Sequence, residues 1–233
     1  MSPAITAAIE ATGVARRFGA SWVLRGIELR VTTGEVVGLL GGNGTGKSTL
    51  LRIAATLLRP HAGTLRVNGF DVVKEPARAR AAVGYLAHQP GLYDDLTARE
   101  NLRFAATMLD RAPADGEAAL ERVGLDSVAD QRVRGFSSGM QRRLAIARLL
   151  LMRPRVVLLD EPYSNLDAPG IEIMNSLIGE WANAGAAALI VLHELAPAAG
   201  VLDRTETIVD GRLAPKAAHE LHRQAGANLR VSG

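Results

Sequence analysis

The chain has 233 residues, enough for one large α/β domain but cramped for two independent ones. Its net charge of +3 carries no block of like charge, which argues against a nucleic-acid-binding arm. Cysteine is absent, which excludes disulfides and thiolate metal sites and suits a reducing, cytoplasmic compartment.

Taken in chain order, Met1 to Glu10 lacks the basic n-region and sustained apolar run of a secretory signal and reads as a short mobile lead. The β-prone runs Val14 to Val31 and Gly63 to Val73, the second holding the hairpin dipeptide Asn68-Gly69, predict an antiparallel β layer. Glu35-Val36-Val37-Gly38-Leu39-Leu40 reads as a buried strand. It runs into Gly41-Gly42-Asn43-Gly44-Thr45-Gly46-Lys47-Ser48-Thr49, which fits G-x-x-x-x-G-K-[ST], and a helix is predicted from Lys47 to Leu58.

Further strands are read at Val83 to Ala87, Val156 to Asp160 and Ala188 to Leu192, with a helix at Pro169 to Ala184. Between Leu92 and Leu151 the pattern is helical throughout, broken at Pro113, Gly116, Gly124 and Gly135. A hairpin is expected around Asp210-Gly211, followed by a polar tail from Lys216. The apolar run Ala186 to Leu192 is far shorter than the roughly 20 residues that span a bilayer.

Strands alternating with helices argue for a mostly parallel sheet. The expected fold is α/β: a P-loop nucleoside-triphosphatase core with a mostly parallel sheet, an antiparallel β layer and an inserted helical lobe. One domain covers residues 1–233, with a core lobe at about 1–91 and 152–215, a helical lobe at about 92–151 and a tail at 216–233.

The chemistry concentrates in two places. A triphosphate needs many donors close to its oxygens, and the glycines at 41, 42, 44 and 46 let backbone N–H groups converge there, with Asn43 between them. Lys47 adds positive charge toward the β and γ phosphates, Ser48 offers a hydroxyl to Mg²⁺ at a helix N-terminus, and Thr49 supports a neighbouring phosphate. The second place is Arg155-Val156-Val157-Leu158-Leu159-Asp160-Glu161-Pro162, a buried strand ending in two acids, which is costly without a cation. Asp160 suits Mg²⁺, held through water or Ser48. Glu161, one residue on, suits a water in line with the γ-phosphate, as general base or orienting group.

With those residues in hand, nearly the whole chain resembles the ATP-binding cassette family, the nucleotide-hydrolysing subunits of membrane transporters. Phe136-Ser137-Ser138-Gly139-Met140-Gln141 is similar to that family's signature motif, with Ser138 and Met140 departing from its commonest Gly and Gln. The resemblance implies that Ser137 and Gly139 reach the γ-phosphate of ATP held by an opposite subunit. It makes Gln89 the Q-loop residue, near both Mg²⁺ and the reaction, Ser164-Asn165-Leu166-Asp167 the D-loop with Asp167 at the dimer seam, and His193 the switch histidine. Phe18 falls where the family places an aromatic against adenine, with simple packing as the alternative.

The implied ligands are ATP and Mg²⁺. The implied partners are a second cassette, most simply an identical one, and multi-pass permease subunits at the cytoplasmic face of the cell membrane; no nucleic acid is expected. The segment Tyr85 to Leu102, with His88-Gln89-Pro90-Gly91 and Leu96-Thr97-Ala98-Arg99-Glu100-Asn101-Leu102, resembles more closely the haem-exporter subunits of cytochrome c maturation, the CcmA type, which would make the permease CcmB-like. Drug, polysaccharide or lipid exporters share much of it. A soluble cassette ATPase acting on DNA or the ribosome lacks its usual insertions here, and a P-loop kinase would leave Ser137 to Gln141 and His193 without a role. Trp22 and Trp181 read as packing residues. Arg142, Arg143 and Arg148 read as a solvated or dimer-facing surface, and His219 with His222 lacks a third metal ligand.

Overall fold

A computed structural model describes residues 7–214. The lead before Ala7, the tail from Lys216 and the pair His219 and His222 lie outside the described residues.

Two sheets form the framework. The first is antiparallel, in the order β2-β1-β4-β5, from β1 (Ala7–Phe18), β2 (Ser21–Thr32), β4 (Ala62–Val67) and β5 (Phe70–Asp71). The strand begins at Ala7, so the end of the expected lead, from Ala7 to Glu10, is part of the sheet: Ala8 and Ile9 are buried, and that apolar pair outweighs the absence of a preceding turn signal. The β4–β5 turn is Asn68-Gly69 with both φ angles positive, 49° and 82°, as a two-residue hairpin of matching twist requires.

The second sheet runs β10-β9-β3-β8-β7-β6, from β3 (Val36–Leu40), β6 (Val83–Leu86), β7 (Val156–Asp160), β8 (Ala187–Val191), β9 (Arg204–Val209) and β10 (Arg212–Leu213). Every pairing is parallel except the terminal β9–β10 hairpin. Strands β3, β7 and β8 are buried along their whole lengths, which is why they read as unbroken apolar runs.

Alternate residues of these strands face different cores. Val37, Leu39, Val156, Leu158, Leu189 and Val191 pack with the antiparallel sheet and α1 (Lys47–Ala54). Val36, Leu40, Val157, Leu159 and Ile190 pack with α3 (Ala98–Met108), α4 (Pro113–Arg122), α5 (Ser138–Leu150) and α6 (Ala168–Asn183). The parallel sheet is the shared wall between the two cores.

Three helical expectations differ. Helix α1 stops at Ala54 because Thr56 takes φ 62° and the Leu57 N–H donates back to the Arg52 carbonyl, a left-handed termination that usually signals itself with glycine. In the 92–151 stretch helix begins only at Ala98, where Thr97 and Glu100 form a reciprocal capping box. Pro113 opens α4 rather than breaking a helix, and Gly116 lies inside α4, packed against Leu102 of α3. A short helix, α2 (Pro76–Ala81), was not foreseen from the sequence pattern.

Trp22 is exposed at the β1–β2 hairpin, its ring edge-on to His61 and beneath the Arg17 guanidinium, so it is a surface aromatic and not a core residue. Trp181 packs against the helical core as expected.

Candidate functional site

The site forms where the carboxyl ends of neighbouring parallel strands meet, the usual place for a ligand in such sheets. The loop 41–46 leaves β3, Asp160 ends β7 with Glu161 next, His193 follows β8 by two residues, and His88 follows β6 by two.

The loop is shaped by two glycines that no other residue could replace. Gly41 has φ 141°, and a Cβ there would strike the Ile208 carbonyl; Gly46 has φ 107°, and a Cβ would run into Leu24 and Val23. This close seating turns the loop back over the start of α1. Lys47, 6% exposed, donates from Nζ to the Gly41 and Gly42 carbonyls at 2.7 and 2.8 Å. Burial holds its ammonium below the usual lysine range, while the nearby Glu161 and Asp160 carboxylates pull the other way.

Asp160 shares strand parity with Val156 and Leu158, and so faces α1. The Ser48 hydroxyl donates to its Oδ1 at 2.8 Å, and the Tyr85 hydroxyl lies 3.5 Å from Oδ2. Among the described residues this carboxylate, 1% exposed, has two hydroxyls as side-chain hydrogen-bond partners, with the Lys47 and Arg142 cations near enough to interact with its charge. Hard oxygen donors from a hydroxyl and a carboxylate are the donor chemistry of Mg²⁺, so these residues fit that ion. Burial, with the Asp160 charge adding to it, raises the Tyr85 phenol above its usual range.

Glu161 turns out of the strand with φ 53°, a left-handed conformation that a glutamate seldom takes. The turn carries its carboxylate to the histidines. Oε1 lies 2.6 Å from His193 Nε2, and Oε2 lies 3.2 Å from His88 Nδ1 and 3.4 Å from the Ser164 hydroxyl.

Below this cluster sits Arg142, 2% exposed. Nη1 donates to the Ala87 carbonyl at 2.7 Å and to His88 at 3.4 Å, Nη2 to Asp160 at 2.8 Å and to the Glu161 carbonyl, and Nε to Pro162 at 3.3 Å. Burial pushes this guanidinium down to about 10, with the Asp160 and Glu161 charges opposing. Arg148, one and a half turns on, donates to the Pro90 and Gly91 carbonyls, each at 2.6 Å. Arg143 pairs with Asp167. Arg142 and Arg148 are therefore internal struts, not a solvated surface: an arginine fork buried among carbonyls gains more than a surface charge, and the helical pattern alone does not reveal those carbonyls. Arg143, whose partner Asp167 is exposed, stays near the surface.

The remaining expected residues stand apart. Ser137 caps α5, accepting from the Met140 N–H at 3.2 Å, and Asp167 caps α6, accepting from the Gly170 N–H at 3.1 Å. Gly139 lies so close to Asn165 that an added Cβ would come 2.8 Å from its carbonyl oxygen. Among the described residues, neither Ser137 nor Gly139 hydrogen-bonds to the 41–49 loop of its own chain. Gln89 and Asn43 are exposed, and no side-chain hydrogen bond joins either to the cluster; Thr49 is half-buried on the first turn of α1. Phe18 is 46% exposed at the β1–β2 tip, beneath the Arg16 guanidinium at 4.9 Å.

His88 and Arg142 are the site residues that sequence reasoning missed. A histidine two residues beyond a strand that neighbours β7 carried a signal of position, because strand order brings that strand end beside Glu161. For Arg142 there was none.

Residues 24–164 match the family described as ABC transporter. The chain is 36% identical over 226 residues to the daunorubicin resistance ATP-binding protein DrrA3 of Streptomyces coeruleorubidus, covering 95% of this chain and 72% of that protein. It is 39% identical over 201 residues to the cytochrome c biogenesis ATP-binding export protein CcmA 2 of Cupriavidus metallidurans, covering 84% of this chain and 95% of that one. Among solved structures it is similar to the dimeric post-hydrolysis state of the ATP-binding cassette MJ0796 bound to ADP and Pi, with a TM-score of 0.80 and 25% identity over 89% of this chain and 97% of that one.

Proposed function

The chain belongs to the ABC transporter family and is its ATP-hydrolysing, ATP-binding subunit, and on that premise we propose that it powers an exporter of haem for cytochrome c maturation. The observation that carries the enzymatic part of this reading is the meeting of Ser48, Asp160, Glu161 and His193 beside the Lys47 loop.

In this reading Lys47 exchanges its two backbone acceptors for the β and γ phosphates, and the N–H groups from Gly41 to Thr49 take the remaining oxygens. Asn43 lines the same loop. Ser48 and Asp160 would hold Mg²⁺, and Gln89 would supply a further oxygen. The ion, when bound, neutralises charge on the phosphates. Glu161 orients a water and takes its proton as the water oxygen bonds to the γ-phosphorus and the bond to the β-phosphate oxygen breaks. His193 fixes the Glu161 carboxylate at Oε1 and donates toward the γ-phosphate.

The site is completed by a second copy. Ser137 and Gly139 have no bond to their own nucleotide loop, which favours a two-fold dimer in which they face the partner's ATP, with Asp167 at the seam. Phe18 offers its exposed ring to adenine. Within the single nucleotide-binding domain, Gln89 passes the phosphate state from the core part, at about 1–91 with 152–215, to the helical part, at about 92–151, and the segment from Gln89 to Leu102 passes motion on to the membrane partners. No helix among the described residues is long and apolar enough to cross a membrane. As an ABC transporter subunit the chain would act at the cytoplasmic face through a permease partner, CcmB-like for haem.

Haem is favoured by the element His88-Gln89-Pro90-Gly91 and by the match along 95% of CcmA 2. Drug export is the second reading, favoured by the match of 95% of this chain to DrrA3. The test is to isolate the assembly with its permease and measure hydrolysis with haem and with daunorubicin. Stimulation by haem alone supports the first, by daunorubicin alone the second; a complex that is active only with DNA or ribosomes and binds no permease overturns both.

A further inference from the structure

Glu161 is gripped on both oxygens, but only one grip belongs to the reaction as described. His193 takes Oε1 at 2.6 Å; Oε2 is met by the His88 ring at 3.2 Å. We propose that His88 is a positioning residue that fixes the rotation of the Glu161 carboxylate and ties it to the segment bearing Gln89. The proposal rests on the reading of Glu161 as the base.

Three observations carry it. A carboxylate held only at Oε1 can still swing about its terminal bond; Oε2 is met by the His88 ring at 3.2 Å and by the Ser164 hydroxyl at 3.4 Å, and of these two His88 arrives from a separate strand end and restricts that swing. A carboxylate oxygen accepts, so the His88 nitrogen facing it, Nδ1, is the donor. The approach is also not the chance reach of a free loop. The Arg142 guanidinium donates to the backbone carbonyls of His88 and Glu161 together, so the two main chains are fixed to one rigid fork and the side chains meet above it. Alignment of the base within a narrow angle is what turns a nearby carboxylate into an effective one.

The donor position makes the test stereochemical. An asparagine amide nitrogen stands close to where Nδ1 stands on histidine, whereas the glutamine nitrogen reaches further, toward the place of Nε2. Steady-state hydrolysis by the full chain should therefore show kcat reduced about tenfold in His88→Ala with KM for ATP unchanged. His88→Asn should recover to within about threefold of the parent, and His88→Gln should not. In a Glu161→Gln background, His88→Ala should cost nothing more, because the group it positions no longer acts as a base.

Parental kcat in His88→Ala, a change confined to KM, an asparagine that fails to rescue, or losses that multiply in the double variant would each overturn the proposal. The parent reading fails separately: Glu161→Gln with undiminished turnover removes the base itself, whereas a crippled Glu161→Gln beside a fully active His88→Ala removes only the role given to His88.

Discussion

Ser48 and Asp160 stand 112 positions apart in sequence, yet the Ser48 hydroxyl donates to Asp160 Oδ1 at 2.8 Å. That bond links the first turn of α1 to the last residue of β7, so the element that cradles phosphate and the element that ends in acids are held in one geometry. An oxygen pair so placed costs little to rearrange when an ion takes up both atoms, which is the preorganisation a metal site needs.

Asp160→Asn keeps a group of the same size and can still meet Ser48, but it removes the charge. We expect nucleotide affinity measured with Mg²⁺ to fall by about tenfold or more, while affinity measured with a chelator present stays within about threefold. Equal affinities with Mg²⁺ in the two proteins would remove Asp160 from the ion.

Glu161→Gln leaves the phosphate loop untouched and replaces the acceptor of the water proton. Turnover should drop by about 10²-fold or more with ATP binding retained, and the dimer should persist in ATP. Steady-state hydrolysis beside equilibrium binding checks this, and an unchanged rate rejects Glu161 as base.

Ser137→Arg loses a helix cap, worth about 1 kcal/mol, and places a long cation where the partner nucleotide would sit. Binding of ATP by the single subunit should survive, while ATP-dependent pairing in sedimentation should not. Normal pairing and normal hydrolysis in a pure homodimer would sink the shared site.

Arg142→Leu strands several buried carbonyls at once. A loss of about 3 kcal/mol or more in unfolding free energy is expected, since each buried acceptor left without a donor costs about 1–3 kcal/mol. Arg143 lies half-buried with one carboxylate partner, so Arg143→Leu should cost under about 1 kcal/mol. Urea midpoints of the two variants check this, and the reverse ranking would show that the strut is not where stability resides.

What could be read from the sequence was whatever depends on neighbours along the chain. The Lys47 loop, the Asn68-Gly69 turn and the apolar runs of β3, β7 and β8 declare themselves locally, because steric freedom at glycine and burial on both faces leave marks within a few residues. The end of α1 was misplaced because Thr56 adopts a conformation that glycine would have announced. Gly116 was taken as a break because glycine is a poor helix former, yet α4 runs through it. Arg142 was assigned to the surface because its acceptors come from the ends of β6 and β7, and only the folded topology brings them together. Gln89 was foreseen and His88 beside it was not, although His88 makes the contact that exists.

The two-sided burial of β7 also sets what kinds of genetic change the molecule can absorb. Val156 and Leu158 look one way, Val157 and Leu159 the other, and Asp160 inherits the first direction. Adding or deleting one codon within that strand would exchange its layers wholesale and send the acid toward the helices, even if every amino acid type were kept. Surface loops joining the strands can vary in length at small cost, whereas this pentapeptide has a fixed reading frame of orientation that point substitution can probe and insertion cannot.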